Sequence, residues 1–427
     1  MYLKRLIAVI TVLIIVSLPY SSASNSISSE VGISDAPSSH LIEGVPYIAQ
    51  TQGYFCGYAC RAMILNYLGF DTSLEDILFY DGLGYTHYYH QDERLPEEGR
   101  YSDLDYVLNL FGVKQNWWCL SLSEECWNIY FSSLKENISS DIPVITIVDP
   151  FSMPSLRNQF RVPDYLWEKL FPPTHHLILV IGYNEDNHSI CYNDPNAGFY
   201  GDGSYGDHAW IDMDDFKKAV VNNSYENIIF STINVKTEPS SKQIRFTETF
   251  KQNIVKLEGN YEDFYYTHGI NASKKMKTDF SPGENNRSET IKLYKKDGDT
   301  GFNFTVIDIL YRLFLKLTPN RPSIFDIFIV PQENSFEGIS KEKQEISEYL
   351  EQSIFYPDFC KNQSILLKQE SELWHDLSNY YKVFMRRGIF LLELRSNILM
   401  NKMENTIDKI ILIEQQLINE ANEFLYP

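Results

Sequence analysis

Residues 45–60 read VPYIAQTQGYFCGYAC and continue as RAMILNYL to Leu68. From Cys56 to Leu68 the apolar residues recur at helical spacing, which predicts a helix that begins at Cys56. A cysteine in the first turn of a helix lies where the macrodipole and the free N–H groups favour a negative charge. Because that position lowers the pKa of a thiol, Cys56 is a candidate nucleophile.

A thiolate nucleophile needs two further groups, one to hold an oxyanion and one to move a proton. Gln50, six residues before Cys56, carries a side-chain N–H suited to an oxyanion. His176 is the candidate acid and base, because it opens the apolar run HLILVIGY that ends at Tyr183. An imidazole at the first residue of a strand lies where the strand meets its loop, and not in the packed centre of the sheet, so a substrate can reach it.

The strand after His176 predicts the partner of the imidazole. The next strand begins at Ile190 and is expected to form a hairpin with the run before it, which places Asp194 at the strand's end. Asp194 is therefore expected to accept a hydrogen bond from His176 and to fix its tautomer. His175 is the alternative base, but alternation along a strand turns it to the opposite face.

The order of the other elements predicts an α+β fold. Short helices come first, with capping signals at Thr72-x-x-Glu75, which opens a helix to Phe79, and at Ser102-x-x-Asp105. Strands dominate later and are expected at Ile142–Val148, Leu177–Tyr183, Ser189–Asn193 and Asn227–Val235. The end of the chain shows helical periodicity near 340–354, 365–398 and 402–424.

Composition excludes some functions. Across 427 residues, Lys+Arg 37 against Asp+Glu 57 gives a net charge of −20. A chain this acidic repels phosphate backbones, so a general nucleic-acid binder is excluded. The chain has Cys 6 in its composition, a number of cysteines too small for a disulfide scaffold. Individual disulfides remain an alternative, including a Cys56–Cys60 bridge that would inactivate the thiol.

The first residues predict export. Lys4 and Arg5 precede the apolar run Leu6–Leu18, and small residues follow at 21–24. This order is typical of a signal peptide over residues 1–24, with an uncleaved N-terminal anchor as the alternative. Residues 25–42 are expected to form a linker. The rest of the chain is then secreted or held at the cell surface, with membrane contact only through the N-terminal segment.

Taken in order, VPYIAQ, CGYACRAMILNYLG, HLILVIGY and NDP resemble the papain-like cysteine peptidases that process bacteriocin leaders at double-glycine sites. The resemblance implies a papain-like cysteine peptidase fold over residues 43–236. The polar stretch and the helical periodicity of the remaining chain predict a loop-rich and then helical domain over 245–427. The resemblance implies Cys56 as nucleophile, Gln50 as oxyanion donor, His176 as base and Asp194 as its orienter. It also implies a peptide or amide substrate and no cofactor. Tyr58 departs from the family, which usually has proline there.

Two other functions remain open from the sequence. Residues 79–85, FYDGLGY, are similar to the Gly-Leu-Gly segment of butirosin-type acyltransferases, which would use Cys56 to pass an acyl group to an amine. Their acyl donor is an intracellular carrier protein, so the predicted export favours hydrolysis. The other hypothesis is a relative that binds peptides without catalysis. The sequence does not predict the oligomeric state.

Overall fold

The computed structural model describes residues 36–90, 95–98, 104–155, 174–235, 239–259, 266–280, 335–387 and 393–426. The predicted signal peptide or anchor at residues 1–24 lies outside the described residues, as does most of the linker. Among the described helices, none is both long enough and apolar enough to cross a membrane.

The first half of the chain is built around a seven-stranded sheet in the order β4-β9-β5-β6-β7-β8, with β1 added against β6. A smaller, three-stranded sheet has the order β10-β2-β3. The strands are β1 Ser39–Leu41, β2 His87–His90, β3 Leu95–Glu98, β4 Val113–Ser121, β5 Val144–Val148, β6 His176–Asn184, β7 Ser189–Asn193, β8 Ala209–Asp212, β9 Asn227–Val235 and β10 Tyr266–His268.

Strand β6 is central because both of its edges are paired. The half that starts at His176 pairs with β5, the half around Gly182 pairs with β1, and β7 covers the other edge. All of these pairings are antiparallel. The strand is almost entirely buried, which explains why its sequence is a continuous apolar run rather than an alternating one.

The helices cover the sheet and then form the end of the chain. They are α1 Cys56–Tyr67, α2 Leu74–Asp81, α3 Leu104–Leu110, α4 Glu124–Ser139, α5 Pro195–Tyr200, α6 Met213–Val221, α7 Lys242–Leu257, α8 Gly269–Phe280, α9 Ser335–Glu351, α10 Pro357–Arg387 and α11 Glu393–Leu425. The α+β class and the mainly helical second half are confirmed. The predicted helix over 365–398 is wrong in its bounds, because α10 ends at Arg387 and α11 begins at Glu393.

The capping box of α2 lies one residue later than predicted. Ser73 accepts from the backbone N–H of Asp76, and Asp76 accepts from the backbone N–H of Ser73. Thr72 lies one residue before this N-cap, and its hydroxyl donates to the carbonyl of Phe70 at 3.0 Å. The helix therefore begins at Leu74, with Ser73 as its N-cap.

The helices of the second half pack directly on α2. Phe246 of α7 stacks on Phe79 with ring centroids 4.9 Å apart, and Ile346 of α9 belongs to the same buried cluster. Gly84 has a φ of +78°, and a Cβ added there would lie 2.9 Å from Ile346, so this approach requires glycine. Both halves thus share one core, while a domain boundary near residues 236–245 stays a prediction.

Candidate active site

Cys56 is the first residue of α1, and its side chain is buried with 8% exposure. The residue before it, Phe55, has no side-chain oxygen, so no side-chain cap satisfies the first N–H groups of the helix. These groups face the thiol end of the helix, where an anion is favoured. The local sequence therefore builds the environment that a thiolate needs.

The pKa of Cys56 lies below the ordinary value of a thiol. Burial opposes this by raising the pKa, but the charge of His176 and a hydrogen bond with it lower it. Backbone hydrogen bonds from Leu177 and Gly57 lower it further. Leu177 follows the imidazole on β6, so one strand end supplies two of the groups that favour the thiolate.

His176 lies between Cys56 and Asp194. Its Nε2 is 2.7 Å from Oδ1 of Asp194, which leaves Nδ1 for the hydrogen bond with the thiol. Burial lowers the pKa of His176, but the charges of Asp194 and Cys56 and the hydrogen bonds to both raise it to about 10. The geometry thus favours an imidazolium between two anions.

Asp194 is fully buried and held from several sides. Its carboxylate accepts from the hydroxyl of Ser155 and, at 2.9 Å, from the backbone N–H of Asn196. Burial raises the pKa of Asp194, whereas His176 and these two donors lower it below the ordinary value. The sequence alone does not predict the role of Ser155, because no motif links this serine to a residue 39 positions away.

The backbone around Asp194 is also fixed. Tyr47 donates from its hydroxyl to the carbonyl of Asp194 at 3.0 Å and accepts from the N–H of Gly198 at 2.9 Å. The N–H of Asp194 donates to the carbonyl of Gly206 at 2.8 Å. A Cβ at Gly206 would lie 2.4 Å from that same carbonyl group of Asp194, so the loop closes this tightly only with glycine. Tyr47 lies in the VPYIAQ motif, but nothing in that motif predicts these hydrogen bonds.

Gln50 is buried with 2% exposure and lies beside the segment that carries Asp194. Its backbone N–H donates to the carbonyl of Pro195 at 3.1 Å. Its side-chain Nε2 donates to the carbonyl of Gln52 at 2.7 Å, and among the described residues its Oε1 has no hydrogen-bond partner. The structure therefore brings Gln50 next to the His176–Asp194 pair and orients its amide.

Residues 42–233 match the model of the Peptidase_C39 like family. This segment belongs to that family. It contains Gln50, Cys56, His176 and Asp194, and the match supports a papain-like peptidase at family level. No curated protein matches the chain.

In the matched segment, residues 42–233, which we call the C39-like domain, His175 is the alternative to His176 as base and Cys60 is the alternative to Cys56 as nucleophile. Their surroundings differ from those of His176 and Cys56. His175 is exposed, with Nδ1 3.1 Å from the hydroxyl of Ser224 and its ring 4.7 Å from that of Tyr225. Cys60 is buried one turn after Cys56, and burial raises its pKa well above the usual value. All six cysteines are free thiols, so the structure has no Cys56–Cys60 bridge.

A second histidine group lies between the C39-like domain and the helices of the second half. Nε2 of His87 is 3.0 Å from the hydroxyl of Ser273 and 3.2 Å from Glu414, so one ring nitrogen faces both. A catalytic triad needs the two ring nitrogens to face different partners. All three residues are fully buried, and burial lowers the pKa of His87 well below its usual value. This group is structural.

One group of described residues has the composition of a metal site. His188, Asp212 and Asp214 are exposed, and their ligand atoms all lie within 4.8 Å of one another. The Oδ1 of Asp212 already accepts from the N–H of Asp214 at 2.9 Å, as the cap of α6. His188 lies in the turn at the far end of β6 from His176, so the group is remote from Cys56 and we assign it to helix capping.

Proposed function

We propose that the chain is a cysteine peptidase or amidase that hydrolyses peptide or amide bonds through Cys56, His176 and Asp194. The observation that carries the proposal is the position of His176, which hydrogen-bonds Asp194 at 2.7 Å through one ring nitrogen and has the other available for the thiol. Family membership of residues 42–233 supports the same chemistry.

In the proposed mechanism the thiolate of Cys56 attacks the carbonyl carbon of the substrate. The backbone N–H at the start of α1 and the side chain of Gln50 hold the oxyanion. His176 protonates the leaving amine, and a thioester forms on Cys56. Water, deprotonated by His176, then attacks the thioester and releases the acid. Asp194 holds the imidazole in one tautomer throughout.

We also propose that this reaction takes place outside the cytoplasm, since residues 1–24 have the order of a signal peptide or N-terminal anchor. Nothing in the described part of the chain favours acyl transfer. Both glycines of the Gly-Leu-Gly segment have a structural explanation. Gly82 ends α2 in the left-handed conformation, and Gly84 packs closely against α9.

Selective alkylation tests the proposed nucleophile. We expect iodoacetamide to modify Cys56 in the full chain at neutral pH, and to leave Cys60 unmodified because its pKa is raised and its side chain is buried. Peptide mapping by mass spectrometry locates the label. A Cys56 thiol that reacts no faster than Cys60 contradicts the proposal.

The activity itself is tested with a peptide library. A Cys56→Ala variant is expected to lose cleavage of this library. Products that contain an added amine acceptor would instead identify acyl transfer.

The ion pair predicts the pH dependence of the two rates. Alkylation needs the thiolate, so its rate is expected to fall only when the pH drops through the lowered pKa of Cys56. Hydrolysis needs the imidazolium as well, so it is also expected to fall at the alkaline end as His176 loses its proton near pH 10. Rates measured across the pH range check both limbs, and an acid limb near 9.0, the ordinary value of a thiol, would exclude the pair.

A further inference from the structure

Helix α9 of the second half contacts the segment that leads into Cys56. The carboxylate of Glu345 accepts a hydrogen bond from Nε2 of Gln52 at 3.1 Å, across 293 positions of sequence. Gln52 stands two residues after Gln50 and four before Cys56. The helical part of the chain therefore reaches the proposed oxyanion side of the site.

Gln52 connects this contact to the site through its backbone. Its carbonyl accepts from Nε2 of Gln50 at 2.7 Å and from the N–H of Phe55 at 3.1 Å. The first bond sets the orientation of the Gln50 amide, because a carbonyl attracts the NH₂ group and repels the amide oxygen. An NH₂ group carries two hydrogens, so the second stays available for an oxyanion. The bond to Phe55 fixes the turn that ends at Cys56.

Glu345 is presented from a firmly docked helix. On one side Lys343 donates to the carbonyl of Gly84 at 2.8 Å, and on the other Tyr349 donates to Asp76 at 2.8 Å. The pKa of Glu345 lies above its ordinary value, mainly because the side chain is buried. The hydrogen bond from Gln52 and the charge of Lys341 oppose this rise, and the charges of Glu75 and Glu348 add to it. Its second oxygen is buried and has no hydrogen-bond partner among the described residues.

We propose that Glu345 is a positioning residue that holds Gln52, and through it the amide of Gln50, in the orientation that stabilises the oxyanion. This inference rests on the proposed function. It gives the helical second half a role in the reaction, since the oxyanion side of the site is complete only when α9 is docked.

Two reactions of the same thiol separate this role from a general loss of structure. Acylation of Cys56 by p-nitrophenyl acetate passes through a tetrahedral oxyanion, whereas alkylation by iodoacetamide forms none. We expect Glu345→Ala in the full chain to slow acylation about tenfold, less than the ~10²–10³-fold cost of removing an oxyanion donor itself. Alkylation is expected to keep its rate. The acylation rate of Cys56→Ala is subtracted to remove reaction at other nucleophiles.

The matched variants make the test specific. Glu345→Gln keeps an oxygen that accepts from Gln52, so its acylation rate is expected to stay close to that of the unaltered chain. Gln52→Ala breaks the same link from the other end and is expected to resemble Glu345→Ala. Glu348→Ala removes an exposed carboxylate from the same helix and is expected to change neither rate.

The outcomes distinguish this inference from the proposed function. An unchanged ratio of acylation to alkylation in both Glu345→Ala and Gln52→Ala overturns the positioning role, as does an equal loss in Glu345→Gln and Glu345→Ala. If Cys56 of the unaltered chain reacts with iodoacetamide no faster than Cys60, the proposed function fails instead.

Discussion

A His176→Ala variant is expected to lose at least about 10³-fold in peptide turnover, because one side chain supplies both the charge that favours the thiolate and the proton for the leaving amine. Without the imidazole, the backbone hydrogen bonds from Leu177 and Gly57 remain to oppose the effect of burial on Cys56, but the charge of His176 is lost. The pKa of Cys56 is therefore expected to rise, and the rate of alkylation at neutral pH to fall as well. Cleavage of a peptide library and iodoacetamide labelling measure the two losses.

The neighbouring histidine offers a matched control for this variant. His175→Ala removes the same side chain from the adjacent position, which is exposed and faces Ser224 and Tyr225 rather than the thiol. It is expected to keep turnover and labelling within about twofold, as for a surface substitution. Equal losses in both variants would mean that His176 acts through the fold of β6 and not as an acid and base.

The parts of the site that were predictable from sequence are those set by short-range patterns. The apolar run after His176 is long enough to be a buried strand, and β7 follows after a four-residue turn, so the hairpin that brings Asp194 to His176 follows from chain order. The start of α1 at Cys56 was predictable from helical periodicity for the same reason. Antiparallel pairing of consecutive strands needs no information from distant residues.

The parts that were not predictable depend on contacts between distant segments. Ser155 and Glu345 reach the site from 39 and 293 positions away from their partners, and nothing in their local sequence marks them. The capping box is predicted at Thr72 but lies at Ser73, because Thr72-x-x-Glu75 and Ser73-x-x-Asp76 both fit the pattern and only the observed bonds decide between them. Local patterns thus predict elements, whereas the groups that orient the catalytic side chains depend on packing.

The ion pair between Lys343 and Glu370 carries the second large prediction. Their charged atoms are 2.8 Å apart and both side chains are buried, with 1% and 0% exposure. Lys343 also donates to Gly84, so it joins α9 and α10 to the segment after α2. Lys343→Ala leaves a buried carboxylate without its cation, and we expect it to lower the free energy of unfolding by about 3–5 kcal/mol. Urea titration of the full chain measures the loss.

Two further variants separate the lost charge from lost packing. Lys341→Ala breaks an exposed pair with Glu337 on the same helix and is expected to cost at most about 1 kcal/mol. Adding Glu370→Leu to Lys343→Met replaces the whole pair by apolar side chains, and we expect this double variant to recover most of the stability. A double variant as unstable as Lys343→Ala would show that packing, and not the unpaired charge, causes the loss.

The pH dependence of the Lys343→Ala loss follows from the pKa of Glu370. Burial raises that pKa above its ordinary value of 4.5, and Lys343 and the hydrogen bond from Trp374 oppose the rise. Removing Lys343 therefore raises the pKa further. A carboxyl with a higher pKa in the folded than in the unfolded chain contributes its stability below the unfolded pKa and loses it as the pH rises through the folded one. The deficit of the variant is thus expected to shrink as the pH falls towards 4.5, because a protonated Glu370 needs no cation.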